Sequence, residues 1–382
     1  MGESEEEASY GQDPSLKMEE DKQMKDMGEL AGQPATIKDV AAHAGVSVAT
    51  VSAVINSNKY VSPDLAQRVH ESITALGYER NSLAQGLKKH TSHTIGLIIS
   101  DITNPFFTSV VRGVEDVANA RGYSLILGNT DEDLKKEKSY IRLLANKRAD
   151  GLIVAVTLGN HEYLRSWPTQ RLPLVSIDRL PSELSIDAVL VDNVAGAQQA
   201  VEHLITLGHE RIGIVTGIPG ITTTEERLIG YQQALEAHGI PLDAGLIAEG
   251  NSRIDGGERA ALQLLTHEAA RPTALFVTNG LMTIGALQAI NRVGLRCPED
   301  TALVGFDDFE WAAVTHPRLT TVRQPTYEIG QKAAQLLFER LEKRDAAPQV
   351  VRLQPHLIIR ESSGAALQSF TTPEEISSDV HR

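Results

Sequence analysis

Two hydrophobic periods divide the chain. Between Thr36 and Leu76, apolar residues recur every three or four positions: Val40, Ala41 and Ala44, then Val51, Val54 and Ile55, then Leu65, Val69, Ile73 and Leu76. This spacing predicts three short amphipathic helices. Thr36 with Asp39 three residues later is a capping pattern for the first helix, which Gly45 ends; Ser47 caps the second. Ser62-Pro63-Asp64 opens the third and Gly77 stops it. From Ser92 the pattern changes to short, nearly continuous apolar runs separated by amphipathic stretches. Runs at 94–100, 123–129, 151–156, 173–178 and 188–193 form one set, and 211–217, 246–251, 274–279 and 302–308 a second. Such strands between helices predict parallel sheets covered on both faces, and two sets predict two lobes. The chain is expected to cross back after Thr320, so that a helix over 327–341 rejoins the first lobe.

On the second short helix, Val48, Ala49, Thr50, Ser52 and Ala53 fall away from the apolar face. A small, nearly uncharged outer face suits the floor of the DNA major groove, where methyl contacts to thymine are available. The run from Thr36 to Asn56, TIKDVAAHAGVSVATVSAVIN, resembles the headpiece of LacI/GalR-type bacterial transcription regulators. Thr36, Asp39, Val40, Ala41, Ala44, Gly45, Val46, Ser47, Thr50, Val51, Ser52 and Asn56 carry the resemblance, which extends from Ala35 to about Arg360.

That resemblance implies a helix-turn-helix headpiece joined to a two-lobed α/β effector domain of the periplasmic-binding-protein type. DNA contacts are then expected from Thr36, Ser47, Val48, Ala49, Thr50, Ser52, Ala53, Asn56 and Tyr60. Val48 and Ala49 stand at the specificity positions, and Ala53 replaces a common arginine. The stretch NSLAQGLKK (81–89) resembles the family's hinge helix, with Leu87 in the place of the leucine that wedges into the minor groove. The expected division is an acidic disordered tail at 1–34, the headpiece at 35–80, the hinge at 81–92, the effector domain at 93–362 and a tail at 363–382. Lobe 1 takes about 93–191 and 325–345, and lobe 2 about 192–323 and 346–362.

In open parallel sheets, ligands bind beyond the carboxyl ends of the strands. The residues there are polar or aromatic: Asn104, Phe106, Phe107, Asp178, Arg179, Arg227, Asn279, Asp307 and Gln324, with Arg253 on the wall of the second lobe. Phe faces stack on the apolar side of a sugar ring while carboxylates, amides and guanidinium forks bind its hydroxyls. The set resembles the pocket of ribose-type binding proteins. Asn279-Gly280 where many relatives have Asn-Asp, together with Arg253, leads to the expectation of an acidic or phosphorylated sugar.

Composition then sets limits. The net charge of −14 is concentrated in the terminal segments, and the headpiece is only mildly basic, so affinity for DNA has to come from pairing two headpieces and from placed contacts. The single cysteine, Cys297, excludes a disulfide framework within the chain. No phosphate loop, nucleophile elbow or H-E-x-x-H motif is present, so no enzyme activity, cofactor or metal is expected. A sugar-transport protein is disfavoured by the headpiece and the lack of an export signal, and a DNA binder without an effector by the polar cleft. The expectation is therefore a cytoplasmic homodimeric regulator, a repressor, that binds double-stranded operator DNA and a small sugar-like effector, with no membrane partner.

Overall fold

The computed structural model describes residues 35–56, 59–78, 91–165, 172–181, 184–266 and 271–365. It divides into two compact units, Met1–Lys88 and Lys89–Arg382. The acidic segment 1–34, residues 81–90 with Leu87, and 366–382 lie outside the described residues.

In the first unit, helices span Ile37–Ala44, Val48–Asn56 and Pro63–Ala75. The Asp39 carboxylate accepts from both the backbone N–H (2.8 Å) and the hydroxyl (2.7 Å) of Thr36, satisfying donors at the start of the first helix. These bonds hold the Asp39 carboxyl below its usual range. Gly45 ends the helix in the left-handed region (φ 63°), and Val46 N–H closes onto Ala41 O at 3.0 Å. Arg68 of the third helix donates to Ala44 O at 2.5 Å, and a Cβ on Gly45 would stand 2.9 Å from that guanidinium. The turn between the first two helices is thus pinned by the third. Val40, Ala41, Ala44, Val51 and Val69 form the core, flanked by Ile37, Val54, Ile55, Ile73 and Leu76. Each fully buried valine contributes about 1.5–3 kcal/mol.

The second unit contains two six-stranded sheets. Strands β1 (Thr94–Ile99), β2 (Ser124–Asn129), β3 (Gly151–Val154), β4 (Leu174–Ile177) and β5 (Asp187–Val191) lie in the first. The second holds β6 (Ile212–Thr216), β7 (Ile247–Glu249), β8 (Ala274–Val277), β9 (Ala302–Phe306) and β10 (Thr320–Arg323). With β11 (Val350–Leu353) and β12 (His356–Ile358), the orders are β11-β5-β4-β3-β1-β2 and β12-β10-β9-β8-β6-β7. All pairings are parallel except β10 with β12. The placement of β11 corrects the expected boundary at 345: it pairs with β5 in register Val350 with Ala188, so the chain leaves the first lobe at 354–355. The pairing satisfies backbone groups of β5 that would otherwise form an open sheet edge.

The return helix Thr326–Glu342 packs on Pro105–Ala120 in the first lobe. Their close approach requires glycine: a Cβ on Gly330 would stand 2.1 Å from Val110 O, and one on Gly113 2.2 Å from Tyr327 O. Strand β2 is different. It lies at the edge of its sheet and leaves Ile126 and Leu127 exposed.

Candidate DNA-binding and effector sites

The headpiece presents one small-residue surface. Ser47 Oγ accepts from Thr50 N–H at 3.1 Å, capping the second helix. Thr36, Ser47, Val48, Ala49 and Asn56 are exposed, Thr50 and Ser52 half-buried, and Tyr60 is 91% exposed. Asn56 donates back to Ser52 O at 2.8 Å, so its carboxamide is oriented along the helix. Ala53 departs from expectation: it is only 8% exposed. A methyl group this short stays within the contour of its neighbours, so Ala53 shapes this face rather than reaching out from it. Leu87 lies outside the described residues.

The ten effector candidates line a single cavity between the two sheets of the second unit, although they span positions 104 to 324. Most are held there by a strand end or helix start, and Arg227 by the second turn of helix Thr222–Ala237. Asn104 caps helix Pro105–Ala120 by accepting from Phe106 N–H at 3.1 Å, which leaves its amide group as a donor. Phe106 and Phe107 meet edge to face, ring centres 4.9 Å apart, and are buried. Asp178 and Asp307 follow β4 and β9 with φ of 64° and 77°, left-handed conformations that non-glycine residues adopt at a cost of about 1–3 kcal/mol. Their equivalent positions aim one carboxylate from each sheet towards the cleft.

Arg227 is fixed from three sides. It donates to Asn193 Oδ1 (2.9 Å) and Thr278 O (2.6 Å), and its guanidinium lies over the Phe306 ring at 3.8 Å. Burial lowers its pKa, with Asp307 and Asp178 opposing that shift, and an arginine keeps its charge regardless. Burial raises the pKa of Asp178, against the pull of Arg179 and Arg227. Asp307 accepts from Gln324 (2.5 Å) and from Gly280 N–H (2.9 Å), leaving Gln324 Oε1 buried with no hydrogen-bond partner among the described residues. Asn279 bonds Met282 N–H and Ser252 O, joining the helix Gly280–Arg292 to the cleft wall.

Arg179 does not present a free fork. Its terminal nitrogens bond both oxygens of Glu132, at 2.8 and 2.7 Å, and Nη1 also reaches Val156 O at 3.0 Å. Its Nε is buried 3.4 Å from Asp178, without a hydrogen bond among the described residues. Glu132 lines the cavity and was missed by the sequence reading. It follows β2, so the strand-end rule itself was the available signal. Thr223, Thr224, Asn251 and Ser252 also line the cavity and were missed. Arg253 is exposed at the rim, and its charge helps hold Asp131 below the usual carboxylate range, after the larger effects of Lys136 and Asn129.

A sheet pair that encloses a polar cavity, together with a helix-turn-helix unit, defines a ligand-responsive DNA-binding regulator. Residues 36–81 match the family model for bacterial regulatory proteins of the lacI family, and residues 201–363 match a periplasmic binding protein-like domain. The chain belongs to the lacI family of transcription regulators and is not an enzyme. It is 38% identical over 332 residues to the ribose operon repressor of Escherichia coli K12, covering 86% of this chain and 100% of that relative. The crystal structure of the Lac repressor dimer bound to operator and the anti-inducer ONPF superimposes with a TM-score of 0.78 at 27% identity, covering 87% of this chain and 99% of that one. A LacI family regulator from Enterococcus faecium with bound ribose gives a TM-score of 0.64 at 30% identity, covering 70% and 98%.

Proposed function

We propose that the protein is a homodimeric repressor whose paired headpieces bind a pseudo-palindromic operator in the cytoplasm, and whose affinity for it is set by a small neutral sugar of the ribose class. The observation that carries the effector reading is the convergence of ten dispersed residues on one cavity, with aromatic edges on one wall and carboxylates, amides and guanidinium groups around it. Charge favours a neutral ligand over the acidic sugar first expected. Arg179 is matched by Glu132, Arg227 has Asp178 and Asp307 beside it, and Arg253 is exposed at the rim. The ribose bound to the Enterococcus relative points the same way.

Self-association is supported by the exposed Ile126 and Leu127 on edge strand β2, since unpaired edges with apolar side chains invite a second copy. Two-fold symmetry then implies a palindromic site. The headpiece contacts are assigned to Thr36, Ser47, Val48, Ala49, Thr50, Ser52, Asn56 and Tyr60. Ligand between the lobes changes their closure, and by linkage the effector and operator alter each other's affinity equally.

The test is operator affinity. DNA selected on the full protein from a random pool should be palindromic, and its fluorescence anisotropy titration should shift when D-ribose is added. A selected site without symmetry would overturn the dimer reading. Unchanged affinity across neutral pentoses and hexoses would overturn the sugar reading.

A further inference from the structure

A chain of side-chain bonds leads from the effector cavity to the seam between the lobes. Nε and Nη1 of Arg227 are both engaged within the protein, by Asn193 Oδ1 and Thr278 O, which leaves Nη2 for a ligand in the cavity that Arg227 lines. Asn193 is buried and opens the helix Asn193–Thr206, directly after the chain crosses from β5 into the second lobe. Its Nδ2 donates to Val191 O at 3.2 Å and to Glu226 Oε2 at 2.9 Å. The other oxygen of Glu226 accepts from both terminal nitrogens of Arg352, at 3.0 and 3.1 Å. Arg352 is on β11 in the first lobe and Glu226 on the helix Thr222–Ala237 in the second, so this ion pair joins the lobes. We infer that Glu226 is a positioning residue for the effector-binding Arg227, and that Arg352 holds Glu226 in place from the other lobe. The inference rests on the reading of the cavity as a sugar site.

The chemistry of the amide fixes the direction of this chain. Val191 O and the Glu226 carboxylate only accept, so they select the NH2 end of Asn193; Arg227 Nε only donates, so it selects Oδ1. A flipped carboxamide would set NH2 against Nε and Oδ1 against the carboxylate, and lose its bonds to Val191, Glu226 and Arg227. Of the two acceptors, Val191 O is neutral and more distant, whereas Glu226 is charged and closer, so the carboxylate is the stronger constraint. Arg227 is itself buried, and its alignment is set by these bonds rather than by water.

Arg352 acts through its location rather than its strength. Its side chain is 46% exposed and that of Glu226 23%, and an ion pair this open to solvent adds little to stability. What it supplies is a link across the seam. There Asp192 N–H donates to Leu353 O at 2.9 Å, so that the chain crossings after β5 and after β11 run side by side. A shift of one lobe against the other moves Arg352 relative to Glu226, frees the carboxylate and loosens the bond that aligns Arg227. Lobe arrangement and guanidinium alignment are therefore coupled, and a sugar bound to Arg227 favours the arrangement in which the link is made.

Calorimetric titration of the full chain with D-ribose tests this. Glu226→Ala should weaken binding about tenfold and Arg352→Met about fivefold, while Arg352→Lys, which keeps a cation within reach, should stay within about twofold of the parent. The double variant should bind no more weakly than Glu226→Ala alone, because Arg352 acts through Glu226. Operator affinity without sugar should stay within about twofold throughout. A merely structural ion pair would lower the thermal midpoint and leave D-ribose affinity unchanged, and that result overturns the inference. So does a double variant whose loss is the product of the two single losses. Should Glu226→Ala also lose operator binding, the contrast between Arg352→Met and Arg352→Lys decides. A readout without sugar separates this inference from the reading of the cavity. With isotope-labelled arginine, the Nε–H signal of Arg227, identified by its absence in Arg227→Lys, should exchange with solvent about tenfold faster in Glu226→Ala and Arg352→Met than in the parent. If D-ribose does not bind the parent, the sugar reading falls, and this exchange rate alone decides: a faster rate upholds the positioning role, and an unchanged one overturns it.

Discussion

Arg179 and Glu132 form a two-point ion pair, Nη1 to Oε2 at 2.8 Å and Nη2 to Oε1 at 2.7 Å, that ties the loop after β4 to the loop after β2. Glu132 holds this position in a left-handed backbone conformation, φ 61°, next to Asp131 at 52°. The pair therefore orients the Asp178-Arg179 corner of the cleft at the expense of local strain.

Removing Glu132 should expose that dependence. Glu132→Ala leaves a buried guanidinium with only the more distant Asp178 as counter-charge, a loss of about 2–4 kcal/mol, towards the low end for buried pairs because Glu132 also retains some solvent contact. Urea unfolding read by circular dichroism is the check, and a loss below about 1 kcal/mol would mean that water replaces the carboxylate.

Glu137 makes stability depend on pH. Burial alone would raise its pKa; the bonds from His161, Tyr163 and Thr157 N–H outweigh burial and lower it below the usual 4.5. A depressed folded-state value means stability that is present above pH 4.5 and lost as pH falls through the folded value. Glu137→Gln should therefore be less stable than the parent at pH 7, and the gap should narrow below about pH 4.5. Thermal melts at pH 7, 5 and 4 measure it. A gap of constant size would show that Glu137 contributes through packing, not charge.

Arg227→Lys replaces a fork held by Asn193 and Thr278 with a single ammonium, and loses the stacked contact with Phe306. D-ribose affinity should fall about 10- to 100-fold, as when charge-assisted bonds worth about 1.5–3 kcal/mol are removed. Operator affinity without sugar should stay within about twofold. Equal loss in both assays would signal misfolding.

In the headpiece, Ser47→Ala deletes the cap on the second helix and should cost about 0.5–2 kcal/mol of its stability. Val48→Gln should instead keep that stability and change which bases are selected, because Val48 is 41% exposed and makes no core contact in the headpiece cluster. Selection from a random pool with each variant separates the two effects.

Gly330→Ala places a methyl group 2.1 Å from Val110 O, where a backbone atom cannot yield. The crossing of helices Pro105–Ala120 and Thr326–Glu342 must open, at about 1–3 kcal/mol or more. A lowered midpoint of thermal unfolding is expected, and an unchanged one would mean that the helices slide without loss.

The sequence by itself determined the features governed by neighbours along the chain. Helix periodicity, the Thr36–Asp39 capping box and the Gly45 stop need residues only a few positions apart, and apolar runs mark strands because both faces of each sheet are covered. The strand-end rule also found nine of the cavity residues, since a parallel sheet directs its loops to one edge. Tertiary structure alone decided what depends on strand order and distance. Arg179 and Glu132 are 47 positions apart, and they meet because the loops after β4 and β2 converge at one end of the first sheet. The choice of sheet for β11, the covering of Ala53 and the glycine crossing at 330 arise in the same way, from partners that no local period encodes.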